Sequence, residues 1–66
     1  MNVTVNGRVQ PAVPGETVAT LLERLGLSAR YALVERNGEP VERRRYDETG
    51  LEDGDTVVVA RPVAGG

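Results

Sequence analysis

Residues 16–26 read ETVATLLERLG. Val18, Leu21, Leu22 and Leu25 fall at i, i+3, i+4 and i+7, which makes one apolar stripe about two turns long if the segment is helical. Thr17 is the expected N-cap, since a threonine hydroxyl accepts from the unpaired N–H groups of a first helical turn. Gly26 stands where a left-handed residue ends a helix. Glu16 and Glu23 are expected to face solvent. An amphipathic helix this short needs an apolar surface to lie on, and the segments on either side have the two-residue period of strands.

Upstream, Val3 and Val5 alternate with Asn2 and Thr4, the pattern of a strand with one buried face. Asn6-Gly7 is the signal of a two-residue hairpin turn, whose central positions both want φ > 0. Arg8 to Val13 is predicted to return as the second strand with Val9 inward. Pro11 lacks an N–H and marks that strand as an edge or a bulge, and Pro14-Gly15 closes it with a turn. Downstream, Tyr31 to Arg36 (YALVER) reads as a third strand and Asn37-Gly38 as a second tight turn, with a short return at Pro40 and Val41. Glu42, Arg43, Arg44 and Arg45 form a charged run, read either as an exposed loop or as an anionic docking patch. Tyr46 to Thr49 is expected to make one helical turn, its tyrosine ring closing the open end of the core.

Glu52, Asp53 and Asp55 surround Gly54 in a compact acidic turn. Neither the spacing nor the oxygen-ligand count of a calcium loop is present, so the carboxylates read as turn chemistry, and no metal site is expected. Thr56 to Arg61 (TVVVAR) is nearly all apolar and β-branched, as expected of a central strand with both faces at least partly covered. The order is hairpin, crossover helix, hairpin, final strand. That order predicts an α+β, ubiquitin-like β-grasp: a mixed sheet of four to five strands packed on one α-helix, over residues 1–61, followed by a tail at 62–66.

Sixty-six residues allow one domain, and a chain of this size buries only about 60% of the surface its unfolded form exposes. There is no Cys and no His, so neither disulfides nor a structural zinc is expected to support the small core. No apolar run approaches the roughly 20 residues of a membrane span. The opening MNVTVNGRV reads as mature structure rather than a signal peptide, which gives a cytoplasmic location by default. Ten acidic residues against eight basic ones, a net charge of −2, argue against a phosphate-contacting nucleic-acid binder. Tyr31 and Tyr46 are too few to build a base-stacking platform. All eight basic residues are Arg. This reads either as a GC-rich genome or as an advantage of having no side-chain amine near a reactive acyl group.

The chain has no cysteine, histidine or lysine, and its only serine is Ser28. With no side chain suited to catalytic or redox chemistry, an enzyme in its own right is the least expected reading. The sequence ends Arg61-Pro62-Val63-Ala64-Gly65-Gly66, and the terminal carboxylate of Gly66 is the expected reactive group. Ionised at neutral pH, with a reference pKa of about 3.5, it is a nucleophile toward the α-phosphorus of ATP. The resulting anhydride with AMP is open to attack by sulfur or an amine. Val63, Ala64 and Gly65 are expected to thread a partner's active site with Gly66, the two glycines passing a narrow channel without steric cost because they have no Cβ. Five extended residues span about 17 Å. If Val57 and Val59 face the helix, parity turns Val58 and Ala60 to the other face, and these two with Arg61 make the expected docking surface.

MNVTVNG, the TVATLLERLGL helix, VERNGEPVERRRY, the LEDGD turn and the terminal VAGG occur here in the order and spacing of the ThiS family, the sulfur carriers of thiamine biosynthesis, which the chain resembles over nearly its whole length. Two positions depart from the family pattern: Tyr46 stands where many relatives carry Trp, and Pro62 enters a tail normally free of proline. The resemblance implies a co-substrate rather than a catalyst, with no bound cofactor. An E1-like adenylyltransferase resembling ThiF would use ATP and magnesium to adenylate Gly66. A persulfide donor charged by a cysteine desulfurase would leave a thiocarboxylate. Thiazole synthase, resembling ThiG, would take that sulfur for the thiazole ring. Other readings of the same fold stay open: the small subunit of molybdopterin synthase, a tRNA-thiolation carrier, a ubiquitin-like protein modifier, or an interaction module whose glycines are incidental.

Overall fold

Both Asn-Gly pairs turn the chain as their chemistry requires in the computed structural model, which describes residues 1–61. Asn6 and Gly7 have φ of 49° and 83°, and Asn37 and Gly38 have 52° and 82°. All four lie in the left-handed region that a type I′ turn needs. The first pair joins β1 (Asn2–Val5) to β2 (Arg8–Pro11), and the second joins β3 (Leu33–Arg36) to β4 (Glu39–Val41). Between the hairpins lies the helix α1 (Val18–Arg24), and β5 (Thr56–Ala60) comes last.

The strands form one five-stranded sheet in the order β2-β1-β5-β3-β4. β5 runs parallel to β1 and antiparallel to β3. The last strand in sequence is therefore the middle one in space, as its composition predicts, and β2 with Pro11 is an edge. The architecture is the expected α+β, ubiquitin-like β-grasp.

Val18, Leu21 and Leu22 are fully buried against Val3, Val5, Val34, Val57 and Val59 of the sheet. Thr17 caps the helix reciprocally with Thr20: the Thr20 N–H donates to the Thr17 hydroxyl at 3.2 Å, and the Thr17 N–H donates to the Thr20 hydroxyl oxygen at 2.8 Å. Gly26, at φ 73°, lies just past the C-cap Leu25. The regular helix is thus shorter than its apolar period, with Leu25 half-buried in the cap. Tyr46 is buried and donates its hydroxyl proton to the Ala32 carbonyl at 2.7 Å, closing the end of the core.

Four expectations are corrected. Val9 points outward and is 70% exposed. The tight turn pairs Val5 with Arg8, which places Val9 beside Thr4, on the face away from the helix. Glu16 is buried rather than solvent-facing. It precedes the helix, so helical periodicity does not direct it, and its carboxylate takes a bidentate pair from Arg24, at 2.8 Å from Nη2 and 3.1 Å from Nε. The third strand starts at Leu33 rather than Tyr31, which is exposed. β5 is covered on one face only, since Thr56, Val58 and Ala60 are exposed while Val57 and Val59 are buried.

The charged run forms a single turn of 3-10 helix at Arg43–Arg45, and a hydrogen-bonded turn continues to Thr49. Its arginines are used locally. Arg43 donates to the Ala29 and Ala32 carbonyls, Arg44 pairs with Glu42, and Arg45 lies 3.9 Å from Glu48. Among the described residues no helix is long and apolar enough to cross a membrane.

Candidate functional site

β5 organises the site because it is both the centre of the sheet and the strand that leads toward residue 61. Its alternation is strict: Val57 and Val59 enter the core, and Val58 and Ala60 reach the open face. Val58 is 46% exposed, and Arg61 is exposed at the strand's end. The docking residues expected from the sequence therefore do share an exposed face and end.

The register shows what surrounds them. Leu33 lies directly across from Ala60, and Glu35 directly across from Val58. Pro40 is opposite Glu35 on the next strand. Leu33 is 57% exposed, as is Tyr31, whose ring carries the Arg30 guanidinium 5.6 Å from its centroid. A shallow groove runs over the end of β4 from Val58 and Ala60 across Leu33 to Val41 and Arg43. Leu33, Glu35 and Tyr31 were missed by sequence reasoning, because which strand neighbours β5, and in which register, is a tertiary fact.

Two side-chain amides hold β5 at its ends. At the start, Asn37 Oδ1 accepts from the Thr56 N–H at 2.9 Å, and its Nδ2 donates to Asp55 Oδ1 at 3.0 Å. Toward the other end, Asn6 Oδ1 accepts from the Val59 N–H at 2.8 Å, and its Nδ2 donates to the Val59 carbonyl at 3.0 Å. Asp55 also accepts from Arg36 Nε at 2.7 Å and from the Glu52 N–H at 2.8 Å. Burial pushes the Asp55 carboxyl up, but the hydrogen bonds from Arg36, Asn37 and Glu52 outweigh it and hold the carboxyl below its ordinary 3.8. The acidic turn is thus tied to β3 through Asp55. Among the described residues no group of acidic or histidine side chains is arranged to hold a metal.

The remaining site residues expected from the sequence, Val63, Ala64, Gly65 and Gly66 with Pro62 before them, lie outside the described residues.

A central strand flanked by a parallel N-terminal neighbour, one helix across the sheet and an apolar open face beside the strand's exit define a small ubiquitin-like β-grasp protein. A model of the ThiS family matches residues 3–66, and the chain belongs to that family. The crystal structure of a thiamine biosynthesis protein (ThiS) from Geobacter metallireducens is similar over the full length of both chains, at 39% identity and a TM-score of 0.85. An NMR solution structure of a thiamine biosynthesis protein from the same organism has 40% identity and a TM-score of 0.78, over all of this chain and 88% of that one. A protein named thiazole synthase from Paramagnetospirillum magneticum is 33% identical over 66 residues, all of this chain. The chain spans only 20% of that relative's length.

Proposed function

We propose that the chain is a sulfur carrier, a protein co-substrate whose Gly66 carboxylate is adenylated by an E1-like, ThiF-like enzyme and converted to a thiocarboxylate. The observation that carries this reading is the family match, which runs to residue 66 and so takes in Gly65 and Gly66. The sheet agrees with it, since the strand next to those residues is the central one and ends beside an exposed apolar face.

In the proposed cycle, a Gly66 carboxylate oxygen attacks the α-phosphorus of magnesium-bound ATP and pyrophosphate leaves. The terminal sulfur of a persulfide, charged by a cysteine desulfurase, attacks the acyl carbonyl and AMP leaves. A thiol then reduces the acyl disulfide, releasing the thiocarboxylate. The carrier has no thiol or side-chain amine of its own to intercept these intermediates. Residues 62–66 act as the tail that enters the partner's site, with residues 1–61 as the domain that stays outside it. A ThiG-like thiazole synthase is the proposed acceptor, and it is supported by a thiazole synthase that contains a stretch similar to this whole chain. With ATP and cysteine sulfur required, the cytoplasm is the proposed location.

Intact-mass spectrometry tests the reading directly. Incubation with ATP, magnesium, the adenylyltransferase and a sulfur source is expected to exchange one oxygen for sulfur, and fragmentation is expected to place it on Gly66. An unchanged mass with an active adenylyltransferase, or sulfur elsewhere, would overturn it.

A further inference from the structure

We infer that Asn6 is a positioning residue for the C-terminal tail: its side-chain amide fixes Val59 and so sets the point at which the chain leaves the sheet. Along the parallel pair, the Thr4 N–H donates to the Asp55 carbonyl at 2.8 Å, and the Asn6 N–H donates to the Val57 carbonyl at 3.0 Å. The next donor in that row would come from residue 8. By then the chain has turned at Asn6-Gly7, and Arg8 is paired back onto Val5. The N–H and C=O of Val59 would thus face a strand that has already ended.

The Asn6 amide fills that place as a surrogate peptide group, accepting from one Val59 group and donating to the other. On the opposite side, pairing with β3 reaches Ala60 across from Leu33. β5 is therefore held from both sides almost to Arg61. The turn itself needs only a residue that tolerates φ > 0, a demand glycine meets equally well. Two hydrogen bonds to a residue 53 positions away are beyond what the turn requires. Without them, Val59 is held only from the β3 side, and the end of β5 from Val59 to Arg61 is less firmly fixed. A partner must then order those residues before the tail can react, a binding cost that raises KM and spares kcat. This kinetic consequence rests on the carrier reading above.

Asn6→Gly keeps the backbone of the turn and removes the amide. Asn37→Gly makes the same change in the other hairpin, at the far end of β5, where the lost contacts are equally structural. Amide hydrogen exchange and adenylation kinetics with the E1-like adenylyltransferase, at varied carrier concentration, separate the two. Asn6→Gly is expected to raise exchange at Val59 roughly tenfold, the scale of two ordinary hydrogen bonds. The amides of Leu21 in α1 and of its C-cap Leu25 should barely change, while KM rises severalfold and kcat holds. Asn37→Gly is expected to lower thermal stability at least as much and leave KM alone. Unchanged exchange at Val59, an equal rise throughout α1, or a freed Val59 with unaltered KM would overturn the assignment. A wild-type chain that is not adenylated at all would sink the carrier reading instead, an outcome on which the exchange measurement does not depend.

Discussion

Asp55 is a buried carboxylate that the native state prefers ionised. Its three donors are the Arg36 guanidinium, the Asn37 amide and the Glu52 N–H. Because its pKa is lowered on folding, the stabilisation is complete above the unfolded value of about 3.9 and fades as pH falls through the lower folded value. Asp55→Asn keeps the shape and removes the charge, leaving Arg36 only its longer, 3.9 Å pairing with Glu52. The variant is expected to lose about 1.5–3 kcal/mol at neutral pH, the range for hydrogen bonds to charged groups. Urea denaturation across pH checks this: the gap from wild type should begin to narrow below about pH 4, where the unfolded carboxyl takes up its proton, and close as pH falls through the lower folded value. A gap constant to pH 3 would show that the charge is not what Asp55 contributes. The sequence gives little warning of this residue, since its partners Arg36 and Asn37 are 19 and 18 positions away. Glu16 was misjudged for a related reason, as its Arg24 partner becomes a neighbour only once the helix has formed.

At the scale of elements, the legible features were those with a local cause. The Asn-Gly turns, the Thr17 cap, the i, i+3, i+4, i+7 stripe and the alternation of β5 each follow from a few adjacent residues. Val9 was misplaced although its face was readable, because a two-residue turn fixes Val5 opposite Arg8 and parity then sends Val9 outward. The neighbours of Val58 were not readable, since register between β3 and β5 depends on the whole sheet. The hold of Asn6 on Val59 was hidden in another way: the turn accounts fully for an asparagine there, so nothing in the sequence marks its side chain as used twice. The helix supplies the prediction at this scale. Leu22 is fully buried and Leu25 only partly so, so Leu22→Ala is expected to cost about 2–5 kcal/mol and Leu25→Ala clearly less. For a small domain the first loss is a large share of the total stability. Denaturant midpoints of the two variants give the order, and a larger loss for Leu25 would show that the cap region, not the stripe, carries the core.

For the whole molecule, the consequence of placing the last strand at the sheet's centre is that its exit lies beside the open face rather than at an edge. On the carrier reading proposed above, a partner that receives the tail is expected to approach next to Val58, Ala60 and Leu33. These residues contribute apolar area there, and desolvating it favours association. Val58 is the position at which this can be tested without disturbing the core, because its side chain points away from α1 and is 46% exposed. Its cross-strand partner Glu35 decides how the test is designed. Val58→Glu sets two like charges directly opposite and carries a small cost of its own, whereas Val58→Arg gains an opposite charge. Both place a charge in the surface a partner must dry. Both are therefore expected to slow adenylation of Gly66 by tenfold or more, about 1.4 kcal/mol of lost association, with the melting temperature held in Val58→Arg and slightly lowered in Val58→Glu. Measured together, melting and adenylation separate docking from folding. Slow adenylation in Val58→Arg at unchanged stability assigns Val58 to the interface, while a large fall in melting temperature in both variants would place it in the core and move the docking surface elsewhere.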